Sequence, residues 1–164
     1  MKHIKLQIVV ALFALVMLPA AAQALTATGQ VTITATTIQP TATVAVAGTL
    51  AFGTVQDTAT ATAQTTFTVT ATNAWPYSIL LDGGANYNAG SSQSFMKDGS
   101  SQNAREYVLY QDASRSNVWG PAGTNVTGLT GSGAPQNYTI YGSLLAAAGT
   151  TGAISDITTI TVTY

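Results

Sequence analysis

Few side chains in this chain could do covalent or metal chemistry. The 164 residues include a single histidine, His3, and no cysteine. A thiolate nucleophile, a Ser-His-Asp relay and a cysteine- or histidine-ligated zinc site each need those residue types. What remains is carboxylate chemistry, in which two acids flank a glycosidic bond as proton donor and as base or nucleophile. Glu106 and Asp112 are the acidic pair nearest to aromatic residues, with Tyr107 and Tyr110 between them. Both belong to a segment that reads as a strand followed by a turn, and the adjacent Arg105 suggests a surface ion pair with Glu106, which would contribute little. The sequence therefore assigns no catalytic, cofactor-binding or metal-binding residue, and the chain is expected not to be an enzyme. A second chemistry is stacking on sugars, for which Trp75, Tyr77, Tyr87 and Trp119 could supply aromatic faces. Packing in a core or turn is the stronger reading of these four, and a secreted carbohydrate-binding module stays as an alternative.

The amino-terminal residues address the chain out of the cytoplasm. Lys2, His3 and Lys5 precede an apolar run from Ile8 to Leu18, then Pro19 and the small residues Ala20, Ala21, Ala22, Gln23 and Ala24. Basic, apolar, then A-x-A is the secretory pattern, and the run falls short of the roughly 20 residues that span a bilayer. Residues 1–24 are expected to be a cleaved signal peptide. The remaining residues suit one domain with one core. Beyond Ala24 three cations, Lys97, Arg105 and Arg115, face six acids, Asp57, Asp82, Asp98, Asp112, Asp156 and Glu106. With no basic patch, nucleic acid is not an expected partner.

What positions these residues is a series of short alternating segments. Apolar residues alternate with Thr over Gln30–Ala35 and Ala42–Val46, and period two is the mark of a half-buried strand. Further strands are predicted at Leu50–Val55, Thr65–Ala71, Tyr77–Leu81, Tyr107–Gln111, Tyr138–Leu145 and Ile157–Tyr164. Gly, Pro, Asn, Asp and Ser clusters such as Asp82-Gly83-Gly84 separate them. Asn86–Asn103 reads as a long loop, and Leu144–Ala148 is the only, unconvincing, helix candidate. Seven or eight short strands predict an all-β, immunoglobulin-like β-sandwich.

The two ends of the pattern do not fit an ordinary sandwich. In the last segment Ile160, Val162 and Tyr164 share one face, and no later segment is available to cover them. At the other end Leu25–Gln39 supplies an additional alternating segment ahead of the turn at Pro40. Two readings stay open on pattern alone: the spare segment folds back to fill its own domain, or it fills that of another copy.

The segments Leu50-Ala51-Phe52-Gly53-Thr54, Tyr107-Val108-Leu109-Tyr110-Gln111-Asp112, Trp119-Gly120, Tyr141-Gly142 and the ending Asp156–Tyr164 together resemble the spore coat protein U domain family. That family is shared with the major subunits of archaic, Csu-type chaperone-usher pili. Family members often carry disulfide cysteines near the positions of Thr41 and Asn73, which this chain lacks. The resemblance implies an immunoglobulin-like fold lacking its final strand, over residues 40–164, with residues 25–39 as an N-terminal donor strand. It implies a pilus shaft subunit that polymerises by donor-strand complementation and supports surface adhesion and biofilm formation; a spore or cyst coat component of the same fold is the alternative. The donor side chains would be Val31, Ile33, Ala35 and Ile38, and the acceptor groove would be walled by Val44, Val46, Ile160, Val162 and Tyr164. Implied partners are identical subunits, a periplasmic chaperone, an outer-membrane usher and a tip adhesin subunit, at the cell surface, with no cofactor.

Overall fold

Period-two alternation buries a face only where a strand finds neighbours, because the backbone N–H and C=O groups also need partners. The computed structural model describes residues 30–37, 39–46, 48–99 and 103–164. The chain divides after Thr36 into two units. In the first, residues 30–36 form no strand, and Val31 and Ile33 are exposed. The alternation there predicts a strand, but the segment contains no second stretch with which to form a ladder. Ile38, and residues 1–29 with the expected signal peptide, lie outside the described residues.

Among its described residues the second unit contains eight strands: β1 (Ala42–Val46), β2 (Ala61–Ala71), β3 (Pro76–Leu81), β4 (Ser94–Lys97), β5 (Ala104–Tyr110), β6 (Val126–Thr130), β7 (Pro135–Leu144) and β8 (Ile160–Thr163). They form a five-stranded sheet in the order β1-β2-β7-β5-β4 and a three-stranded sheet in the order β6-β3-β8. Every pairing is antiparallel. Antiparallel sheets can bury one face and wet the other, and β2 shows it: Phe67, Val69 and Ala71 are buried while the residues between them are not. From the smaller sheet Tyr77, Ile79 and Leu81 join the same core, with Ile140 of β7 and Trp119 from the loop after β5. Phe67 stacks on Tyr138 at 5.5 Å between ring centroids and meets Trp119 at 6.0 Å. Trp119 thus belongs to the core, as its reading in the sequence anticipated.

Several expectations change. Leu50–Val55 is irregular rather than a strand, since Gly53 takes a φ of 73° that breaks an extended run. β4 lies inside the stretch read as a loop; its four residues are too short for a periodic signal to stand out among Ser, Gly and Asn. β6 was not foreseen either, because Gly128, at φ 71°, and a register shift opposite Tyr77 and Ile79 disrupt its alternation. β8 begins at Ile160, three residues later than expected. The surface ion pair between Arg105 and Glu106 does not form, because neighbouring strand residues point to opposite faces. Arg105 is 3 % exposed and donates from Nε and Nη2 to the Leu145 carbonyl at 3.0 and 2.7 Å, from Nη2 to Ala59 O at 2.6 Å and from Nη1 to Gln56 O at 3.3 Å. Glu106 instead accepts from Gln93 Nε2 at 2.7 Å.

Candidate functional site

Both β1 and β8 are edge strands, each with a neighbour on one side only among the described residues. Residues opposite one another in an antiparallel pair share a face. Val44 lies opposite Val69 and Val46 opposite Phe67, so both valines point toward the sandwich interior. Their partners are fully buried, yet Val44 is 37 % and Val46 59 % exposed. On the other sheet Ile160 lies opposite Leu81 and Val162 opposite Ile79, which likewise turns them inward. Inward-facing apolar side chains on the edges of both sheets are thus only partly covered.

A cleft of about 510 Å³ lies between them, lined by Val44, Val46 and Ile160 on its walls and by Leu50, Phe52, Met96, Leu109 and Ile140 deeper in. A second concavity shares Leu50, Phe52, Met96 and Asp156 with it, so the two form a groove that continues between segments 49–57 and 150–156. Such a shape, long, apolar and bordered by strand edges unpaired among the described residues, is one that an extended polypeptide could enter, its backbone groups joining the ladders and its alternate side chains the cleft.

Polar contacts hold the walls. Asp156, ahead of β8, accepts from the Tyr107 hydroxyl at 2.7 Å and from the Asn86 backbone and side-chain amides at 3.1 and 3.0 Å. Burial, and then the neighbouring Asp156, keep the Tyr107 hydroxyl well above its ordinary pKa, so it stays a neutral donor. Ser155 exchanges two backbone hydrogen bonds with Lys97 of β4, and Thr159 N–H donates to Asp82 Oδ1 at 2.8 Å. The chain entering β8 is thereby tied to both sheets. On the opposite side Arg105 anchors Gln56 and Ala59, the far end of the loop that carries Leu50 and Phe52.

Of the expected groove residues, Val44, Val46 and Ile160 come together around the cleft. Val162 packs on the core beside it, and Tyr164, 56 % exposed, lies past the end of β8. Of the expected donor residues, Val31, Ile33 and Ala35 are exposed. Leu50, Phe52, Met96, Leu109 and Ile140 were missing from the expected set. Alternation in Leu50–Val55 suggests which side chains go together but not that the segment turns its back on both ladders. Glu106 and Asp112 are each engaged elsewhere: Asp112 accepts from the Ser116 and Asn117 backbone amides and the Ser114 hydroxyl, closing its own turn. Tyr77 and Trp119 are buried and so cannot join Trp75 in a sugar-stacking face. Among the described residues no group of His, Cys, Asp or Glu is placed to hold a metal ion.

Comparison with known proteins gives the wider setting. A family profile, the Spore Coat Protein U domain, matches residues 25–163. No match was found among curated proteins. Among solved structures the chain is similar to one in the CsuC–CsuE chaperone–tip adhesion subunit pre-assembly complex from archaic chaperone-usher Csu pili of Acinetobacter baumannii. That likeness has 21% identity and a TM-score of 0.59, covering 78% of this chain and 40% of the other. It is also similar to a chain in a chaperone-usher pilus structure, at 14% identity and TM-score 0.50, covering 84% of this chain and 96% of the other. At such identities the likeness speaks for the fold, an all-β immunoglobulin-like domain, in agreement with the sequence.

Proposed function

The chain belongs to the Spore Coat Protein U domain family, and from that premise we propose that it is a structural pilus shaft subunit that polymerises by donor-strand complementation. Residues 25–39 of one copy, through Val31, Ile33, Ala35 and Ile38, fill the groove between β1 and β8 of the next. A periplasmic chaperone occupies the groove first, an outer-membrane usher exports the subunit, and a tip adhesin subunit ends the fibre, which serves surface adhesion and biofilm formation at the cell surface. The observation that carries this reading is the exposure of Val44 and Val46 on the interior face of the sheet, opposite two fully buried residues.

The magnitudes are adequate. Burying two large and two smaller apolar side chains contributes roughly 5 to 8 kcal/mol, and each new ladder hydrogen bond adds about 0.5 to 1.5 kcal/mol. A whole domain is stable by only about 5 to 15 kcal/mol. An empty groove therefore leaves a marginal subunit, which accounts for the need for a chaperone. Because the chain has no cysteine, Ile33→Cys and Ile160→Cys can be introduced together without background. The expected result on oxidation is a ladder of disulfide-linked oligomers; a disulfide confined to monomers would show instead that the segment fills its own domain.

A further inference from the structure

Gly142 is a strand glycine without a backbone reason to be one. It sits inside β7, opposite Ala63 of β2 and Leu109 of β5, and it is not among the glycines with positive φ. Glycine in a strand interior weakens the strand, and where it occurs it often marks the close approach of another group. That group is the loop after β1. A methyl group on Gly142 would lie 2.9 Å from Leu50 Cδ2 and 2.9 Å from Phe52 Cζ, closer than carbon atoms approach without moving. Leu50 and Phe52 thus rest on the bare backbone of β7 while also lining the cleft. Both contacts involve the far ends of flexible side chains, so a side chain at Gly142 would lift them toward the cleft and leave the strand intact.

We propose that Gly142 sets the depth of the groove, acting through Leu50 and Phe52, and so limits the side chains that an incoming strand can present to medium-sized β-branched residues. The occupant is a second copy of this chain, whose residues 28–38 offer Val31 and Ile33 and no aromatic residue; in this the inference rests on the strand exchange proposed above. Gly142 is a positioning residue, since it touches only the floor and not the incoming strand.

The test uses the full mature chain and a fluorescent synthetic peptide of residues 28–38, with uptake followed by anisotropy and stability by urea unfolding. Gly142→Ala should keep a nearly unchanged unfolding midpoint but take up the peptide about tenfold more weakly, as overpacked contacts do. Adding Leu50→Ala or Phe52→Leu should restore uptake. Equal uptake by Gly142→Ala and wild type, a loss that trimming the floor does not relieve, or a Gly142→Ala chain that cannot fold would each overturn the assignment. In a second arm, Phe52→Leu alone should accept an Ile33→Phe peptide that the wild-type chain excludes; equal rejection by both would also overturn it. Failure of the wild-type chain to take up the natural peptide would instead refute strand exchange itself, and the depth assignment with it.

Discussion

A carboxylate placed at Val46 separates an open groove from an ordinary core. Val46 faces inward opposite Phe67, but 59 % of it is exposed. Fully burying a valine is worth about 1.5 to 3 kcal/mol, so Val46→Asp forfeits only the covered fraction, roughly 1 kcal/mol, and the new carboxylate keeps its water. The same change at Val69, fully buried on the next strand, would strand a charge in the core and unfold the domain. With a donor segment in place the carboxylate at position 46 would lose its water too. That desolvation costs several kcal/mol per ion, comparable with the whole gain from insertion, and uptake should fall by about a hundredfold or more. Urea unfolding of the monomer and anisotropy with the peptide of residues 28–38 measure the two quantities separately. A Val46→Asp chain that is unfolded without urea, as Val69→Asp should be, would show that Val46 is core, and undiminished uptake would remove the inward wall from the site.

Other outcomes follow from single contacts. Arg105→Met keeps the stem volume but takes the guanidinium donor from the carbonyls of Leu145 and Ala59, while Gln56 O keeps the Ala59 amide; at about 1 to 3 kcal/mol for each orphaned group, a loss of about 2 kcal/mol or more in urea is expected, and under about 1 would mean that water replaces the guanidinium. Thr41 and Thr72 hold their hydroxyl oxygens 3.4 Å apart across 31 residues, so Thr41→Cys with Thr72→Cys should oxidise to a disulfide worth about 3 to 4 kcal/mol, read as the difference between oxidised and reduced unfolding curves. Asp57, held by the Gly149 and Thr58 amides, and Asp112, held first by the Ser114 hydroxyl and then by the Asn117 and Ser116 amides, both have pKa values below the ordinary 3.8. The folded chain then binds fewer protons there than the unfolded one, so stability is present above the unfolded value and is lost as pH falls below about 4. Asp57→Asn and Asp112→Asn should each flatten that decline, and an equally steep acid limb in both variants would assign it to other groups.

How far the sequence speaks depends on whether a local pattern or a distant contact decides. β1 has the predicted bounds, and β2, β3, β5 and β7 were all located by their alternation, because Phe67, Val69, Ile79, Tyr107 and Ile140 fall on one face at period two. That Val44 and Val46 point inward was legible by the same rule; their place on a groove wall was only implied by the family resemblance. The floor was not legible, since Leu50 and Phe52 take their place only by lying across Gly142, which is 142 − 50 = 92 and 142 − 52 = 90 positions further along the chain. Arg105 was misread because buried arginines are rare, and nothing local reveals that three backbone carbonyls will converge on it. The Tyr107–Asp156 contact joins residues 49 apart, visible in the sequence only as two polar positions in separate segments.

The geometry also restricts how the exposed edges can be satisfied. Edge strands are commonly protected by charges or proline, yet β1 reads Ala-Thr-Val-Ala-Val and β8 Ile-Thr-Val-Thr, with neither. Pairing β1 with its counterpart in a second molecule would satisfy one row of backbone groups but place no side chain between the sheets, leaving Val46 and Ile160 wet. One extended segment laid along the cleft would serve backbone and side chains together, which is the argument for the proposed strand insertion over symmetric edge pairing. When that segment comes from the amino-terminal end of one copy and the groove from the body of another, the two contacting surfaces differ. A contact between unlike surfaces gives a ring where its rotation closes and a filament where it does not, so the proposed exchange is one that could extend into a fibre.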